Sequence, residues 1–185
     1  NDKSAVEPLA SLLATSKLPQ ARLHALYALD QLGSLSDDQL VRSLADEHPG
    51  VRRHAVRLIE PRLAKTPALL ARLVPLVADA DATVRLQLAY TLGESHEAAA
   101  AEALARLAGE NHTDPYITAA VMSSLTKENI GPVLAGVLSS GNPPEATVQK
   151  LLAIATAFGD DSVVNQALAS ILKSEEGTPS GPQFA

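Results

Sequence analysis

Apolar residues recur along this chain with a helical period and are broken at regular intervals by short polar segments carrying Pro, Gly, Asp or Ser. From 21, "ARLHALYAL" places Leu23, Leu26 and Leu29 on one face; from 51, "VRRHAVRLIEPRL" does the same with Val51, Ala55, Ile59 and Leu63. Both follow the i, i+3, i+4, i+7 stripe of an amphipathic helix. Aligning on the arginines brings "ARLHALYAL", "VRRHAVRLI", "VRLQLAYTL" and "YITAAVMSSL" into register, so that Arg22, Arg52, Arg85 and Tyr116 are equivalent, at steps of 30, 33 and 31 residues. A second set, "LVRSL" from 40, "LARLV" from 70, "LARLA" from 104 and "LAGVL" from 134, trails the first by about twenty residues. A period in this range is the signature of stacked repeats. Each unit therefore predicts two helices.

The breaks between helices carry start signals. Thr66 ahead of Pro67 and Ser95 in "GESHE" are candidate N-caps, as is Asp114 ahead of Pro115. "SAVEPLASLLATS" reads as the second helix of a unit whose first is missing, which fits a fragment of a longer protein. "PEATVQKLLAIATAFG" and "DDSVVNQALASILKS" read as a fifth pair with the motif worn away. These patterns divide the chain into a repeat array over 1–173 and a flexible tail over 174–185, where "EEGTPSGPQFA" shows no helical period.

A turn bearing Asp, a Pro at the next helix start, a branched apolar residue and then Arg resembles the HEAT-repeat family. The residues are Asp46, Pro49, Val51 and Arg52, then Asp79, Val84 and Arg85; the following unit keeps Pro115 but has Tyr116 for Arg and Glu110 for Asp. The likeness spans about residues 4–173. It implies an all-α protein, an α-α superhelix (HEAT/ARM-like solenoid) of about five helix pairs. It also implies that Arg22, Asp46, Arg52, Asp79 and Arg85 form an inter-repeat ladder. An Asp at the end of one unit would pair with the Arg six residues on, each partly exposed pair contributing ~0.2–1 kcal/mol. A buried Leu contributes about 1.5–3 kcal/mol, so packing would hold the stack and the ladder would set its angles. The order "PQARLHALYALDQLGSLSD", "HPGVRRHAVRLIE", "VRLQLAYTLGE", "DPYITAAVMSSL" further resembles the HEAT segment of planctomycete-type multidomain proteins. Those often join a sugar-dehydrogenase-like propeller to a c-type cytochrome domain. That likeness implies a connector or docking region of an exported redox protein.

Composition narrows the chemistry. Apolar residues make up 46% but aromatics only 3%, with no Trp, so Ala and Leu must fill closely approaching helices. A net charge of −6 argues against a polyanion binder, and no nucleic-acid partner is expected. All nine Arg lie between Arg22 and Arg106, however, so the first half can carry a basic stripe. Without Cys, thiolate metal sites, thiol nucleophiles and covalent haem attachment are excluded within these residues. No apolar run is long enough for a membrane span.

Arg42, Arg72 and Arg106 hold the same place in three successive second helices, which line the concave face in HEAT-like arrays; Gly136 ends the row. Three guanidiniums at the inter-helix spacing of about 10 Å can grip an extended acidic peptide or phosphates. The plainer alternative pairs them with acids such as Asp38 or Glu102 on a solvated face. His24 and His54 are equivalent, but two His without a matched carboxylate make a poor metal site; both read as boundary residues. His48, His96 and His112 fall in turns. Ser123 and Ser124 read as a small-residue packing face, and no nucleophile or phosphate-loop motif stands out. These observations point to a non-catalytic interaction or scaffold module without catalytic, metal or cofactor residues, whose partner is a protein or a neighbouring domain. Two alternatives come from other HEAT-like proteins, tetrapyrrole handling as in phycobilin lyases and nucleic-acid binding as in alkylpurine DNA glycosylases. The latter use Trp to cradle the lesion, and Trp is absent.

Overall fold

The computed structural model describes residues 3–176, and among these the regular structure is entirely helical. A lone helix, α1 (Val6–Thr15), precedes five pairs: α2 (Pro19–Gln31) with α3 (Asp37–Ser43), α4 (Pro49–Ile59) with α5 (Leu70–Leu73), α6 (Ala82–Gly93) with α7 (Ala98–Glu110), α8 (Pro115–Ser123) with α9 (Ile130–Leu138), and α10 (Glu145–Ala157) with α11 (Asp161–Glu176). The first helices pack side by side in chain order, α2 on α4, α4 on α6 and α6 on α8. Behind them α5, α7, α9 and α11 form a second layer, and α1 lies against α2. This is an α-α solenoid of HEAT-like pairs. Its core is one continuous cluster from Leu26 to Ala167, because each pair presents an apolar face that only its neighbours cover.

Local chemistry sets the boundaries. Pro19, Pro49 and Pro115 occupy first-turn positions, where a missing N–H costs nothing. Asp114 accepts from the N–H groups of Tyr116 and Ile117 at 2.9 and 3.1 Å, and Ser36 forms a reciprocal capping box with Gln39. At the end of α2 Gly33 takes φ +63°, Ser34 N–H reaches Leu29 O at 2.9 Å and Gly33 N–H reaches Asp30 O at 2.8 Å, the paired bonds of a Schellman stop.

The second helix expected at "LARLV" is only partly α. Pro75 removes an interior N–H and its ring crowds the carbonyl four residues back. The α segment is therefore confined to Leu70–Leu73, between 3₁₀ turns at Pro67–Leu69 and Val74–Ala78. Thr66 makes no side-chain cap, since the turn after it is 3₁₀. Ser95 does not cap α7 either: Glu97 is its N-cap residue, and the Ser95 hydroxyl accepts from Glu97 N–H at 3.3 Å. Residues 174–176, the first three of the expected tail, belong to α11; the rest of that tail lies outside the described residues.

The scarcity of large side chains becomes close approach. A Cβ added at Gly136 on α9 would lie 2.6 Å from the Ala105 Cβ on α7. One added at Gly93 would lie 2.7 Å from the Ser124 Cβ.

Candidate functional site

The five ladder residues meet, but not in the pairing expected from spacing. Arg52 does not pair with the carboxylate six residues before it. Its Nε and Nη2 donate to the two carboxylate oxygens of Asp79 in the next unit, each at 2.7 Å, while Nη1 donates to the backbone carbonyl of Asp46 at 2.8 Å. Asp46 instead receives Arg22, whose Nε and Nη2 also donate at 2.7 Å and whose Nη1 reaches Ser16 O at 2.8 Å. Each Arg thus takes a backbone oxygen behind and a carboxylate ahead. The Arg22 and Asp46 side chains are 8% and 10% exposed, those of Arg52 and Asp79 15% and 5%, so these pairs keep only a small part of their surface in water. Burial alone would push the two carboxyls up. Hydrogen bonds from the guanidiniums and from the His48 and Asp81 N–H groups outweigh it and hold both below the usual carboxylate range.

The third rung has uncharged acceptors in place of a carboxylate. Arg85 donates Nη1 to the Asp79 carbonyl and Nε to Asn111 Oδ1 at 2.9 Å. The sequence singled out Glu110 here, but Glu110 contacts Arg106 instead. Asn111 is the C-cap of α7, and its Nδ2 satisfies Leu107 O at 3.2 Å. A carboxylate there would have no donor for that oxygen and would face the negative end of the helix.

Arg62 was not anticipated. It donates to Leu35 O and Asp37 Oδ1 at 2.9 Å and to Asp30 Oδ1 at 3.0 Å, bracing the turn between α2 and α3 from the end of α4. The only signal in the sequence was a basic residue just past a Pro in a helix-ending "EPRL".

Arg42, Arg72 and Arg106 are all exposed on the second layer. Among the described residues Arg42 and Arg72 make no ion pair, and Arg106 meets Glu110 at 3.4 Å; neither Asp38 nor Glu102 is a partner. The three do not line one cavity. Arg42 borders a cleft of about 650 Å³ between α1 and α3, walled by Ala10, Leu13 and Ala14 on one side and Gln39, Arg42 and Ser43 on the other, with Arg22–Asp46 also lining it. Arg106 borders a smaller one of about 270 Å³ beside Gly136, and Arg72 lines neither. The larger cleft exists because α1 and α3 do not close on each other as α7 and α9 do.

Of the histidines, His24 is exposed and His54 is half-buried. His48 Nδ1 accepts from Gly50 N–H at 3.1 Å, and His112 Nδ1 contacts Gly109 O at 2.8 Å. Among the described residues no group of three or more His or carboxylate side chains is placed to hold a metal ion.

Residues 38–125 match the family described as HEAT repeats. The matched span runs from within α3 to just past α8, and the chain carries a HEAT-like helical repeat there. No curated protein and no solved structure matches the chain.

Proposed function

We propose that this chain is a non-catalytic interaction module that takes a partner segment into the cleft between α1 and α3, with Arg42 as the polar anchor. HEAT repeats fit an interaction or scaffold role. The observation that supports this site is the state of Arg42. Among the described residues Arg22, Arg52 and Arg62 all hold carboxylates, while Arg42 stands at the rim of the roughly 650 Å³ cleft with none, opposite an apolar wall. A segment carrying apolar side chains and one carboxylate fits both walls: the apolar groups leave water against Leu13 and its Ala neighbours, and the carboxylate takes the guanidinium fork. Arg72 and Arg106, further along the same layer, are proposed as outlying contacts for a longer partner.

A charge-swap experiment tests this. Arrayed Leu-rich peptides with a single Asp or Glu should bind the chain; Arg42→Glu should abolish that binding, and peptides with Lys in place of the acid should restore it. Equal binding by both forms of the chain, or turnover of a substrate by the isolated chain, would overturn the reading. The narrower resemblance supports a finer proposal, that the partner is a neighbouring domain of a longer exported redox protein. Sequencing the reading frame on both sides tests this, and flanks without a propeller or haem-binding domain would remove it.

A further inference from the structure

A second polar cluster lies on the first layer. His54 on α4 meets Tyr27 on α2 edge-on, with ring centroids 5.4 Å apart, and its Nδ1 is 2.7 Å from the Tyr27 hydroxyl. The other ring nitrogen, Nε2, is 3.0 Å from Arg53 Nη2. A guanidinium has no acceptor, so Nε2 must be the bare nitrogen and the single ring proton sits on Nδ1, donated to Tyr27. The ring is thus held neutral. Burial first, then the charges of Arg53 and Arg57, push its pKa below the usual imidazole range.

Arg53 and Arg57 are four residues apart on α4 and so project from one face. Neither meets a carboxylate among the described residues, although the chain has 21 acidic side chains and supplies them to Arg22, Arg52, Arg62 and Arg106. Both guanidiniums act on the Tyr27 hydroxyl as well as on His54. Groups on neighbouring helices form no ion pair with either among the described residues. On α2 Asp30 is bonded to Arg62, although its charge still reaches the Tyr27 hydroxyl, where Arg53 and Arg57 oppose it, and His24 and Tyr27 carry no negative charge. On α3 Asp37 is also held by Arg62, while Asp38 and Arg42 belong to the opposite layer. On α6 the equivalent position is Tyr90.

We propose that Arg53 and Arg57, with His54 and the Tyr27 hydroxyl beside them, form a binding site for a phosphate monoester dianion. Two unmatched guanidiniums balance two negative charges, whereas a single carboxylate leaves one unanswered. When Arg53 turns to the ligand it releases His54 Nε2, which is then free to take up a proton and donate to the anion. Binding and proton uptake are therefore linked, and by reciprocity the dianion binds more tightly as pH falls through the His54 titration.

The test uses the whole chain and three probes: inorganic phosphate, sulfate, which stays doubly charged at every pH used, and acetate. The His54 ring signals are followed by NMR through a pH titration, with calorimetry for affinity. Sulfate and phosphate should raise the His54 pKa and bind about tenfold or more tightly than acetate, a preference of about 1.4 kcal/mol. Arg57→Gln, on an exposed position, should erase the shift without altering the fold. O-phosphoserine and a phosphoserine peptide separate a free from a protein-borne phosphate. Tighter binding of either supports the site and identifies its source. No movement of His54 with either dianion, or the same movement in Arg57→Gln, overturns the proposal.

Discussion

Asp79→Asn probes the central rung most directly. In the native chain Asp79 takes two bonds of 2.7 Å from Arg52 and one of 2.9 Å from Asp81 N–H. Asparagine keeps one carbonyl oxygen, enough for Asp81 and one arm of the fork, and turns an amide donor toward the other arm. Arg52, 15% exposed, then keeps its charge but loses its counter-charge. Breaking a buried pair from one side costs about 3–5 kcal/mol. The backbone oxygens of Asp46 and Glu47 that still hold Nη1, at 2.8 and 3.2 Å, place the expected loss at the lower end, ~3 kcal/mol. Replacing both partners, Arg52→Met with Asp79→Leu, removes the stranded charge and should recover most of it. Urea unfolding followed by circular dichroism gives the answer, since at about 1–3 kcal/mol per molar the single variant shifts the midpoint by at least ~1 M. A loss below about 1 kcal/mol, the range of solvated pairs, would refute the claim that burial governs this rung. So would a double variant as unstable as the single one.

Two more outcomes follow from the packing and the charges. Gly136→Ala should destabilise by about 1–2 kcal/mol, because the new methyl meets Ala105 at 2.6 Å and overpacking outweighs the gain in helix propensity; adding Ala105→Gly should relieve the clash, and melting curves in which the two changes simply add would show the contact to be soft. Asp46, Asp79 and Asp81 titrate below their ordinary range when folded, so their stabilisation is complete above the unfolded carboxylate pKa and is lost as pH falls from there toward the lowered folded values. His54 adds a loss of the same sign, beginning as pH drops below the ordinary imidazole range. Stability measured against pH should therefore fall in two steps, and Asp79→Asn should flatten the acidic one; an unchanged acid limb in that variant would contradict the assignment.

The helical pairs were legible because period and punctuation agree. Leu26, Leu29, Val51, Ala55 and Ile59 all fall where the stripe placed them, each almost fully buried. Spacing misled at "LARLV", where an apolar run concealed the effect of Pro75, and at the ladder, where adjacency in sequence hid a partner 27 residues ahead. A one-dimensional pattern records that Asp and Arg recur together, not which copy of Asp each Arg reaches. The α1–α3 cleft was invisible for a related reason: nothing in the residues of α1 or α3 announces how far apart two helices of one layer stand. Tyr27 and His54 were each visible as residues, but their meeting depends on α2 and α4 lying side by side.

The guanidinium rungs end at Asn111, and among the described residues no ion pair joins α8, α9, α10 and α11. A two-pronged fork fixes the tilt of one hairpin on the next through bond direction, whereas apolar contact fixes it only through the fit of side chains. Among the described residues the hairpins are accordingly pinned by charge and directional bonds up to Asn111, and beyond it their relative placement rests on side-chain shape alone, as where Gly136 admits Ala105.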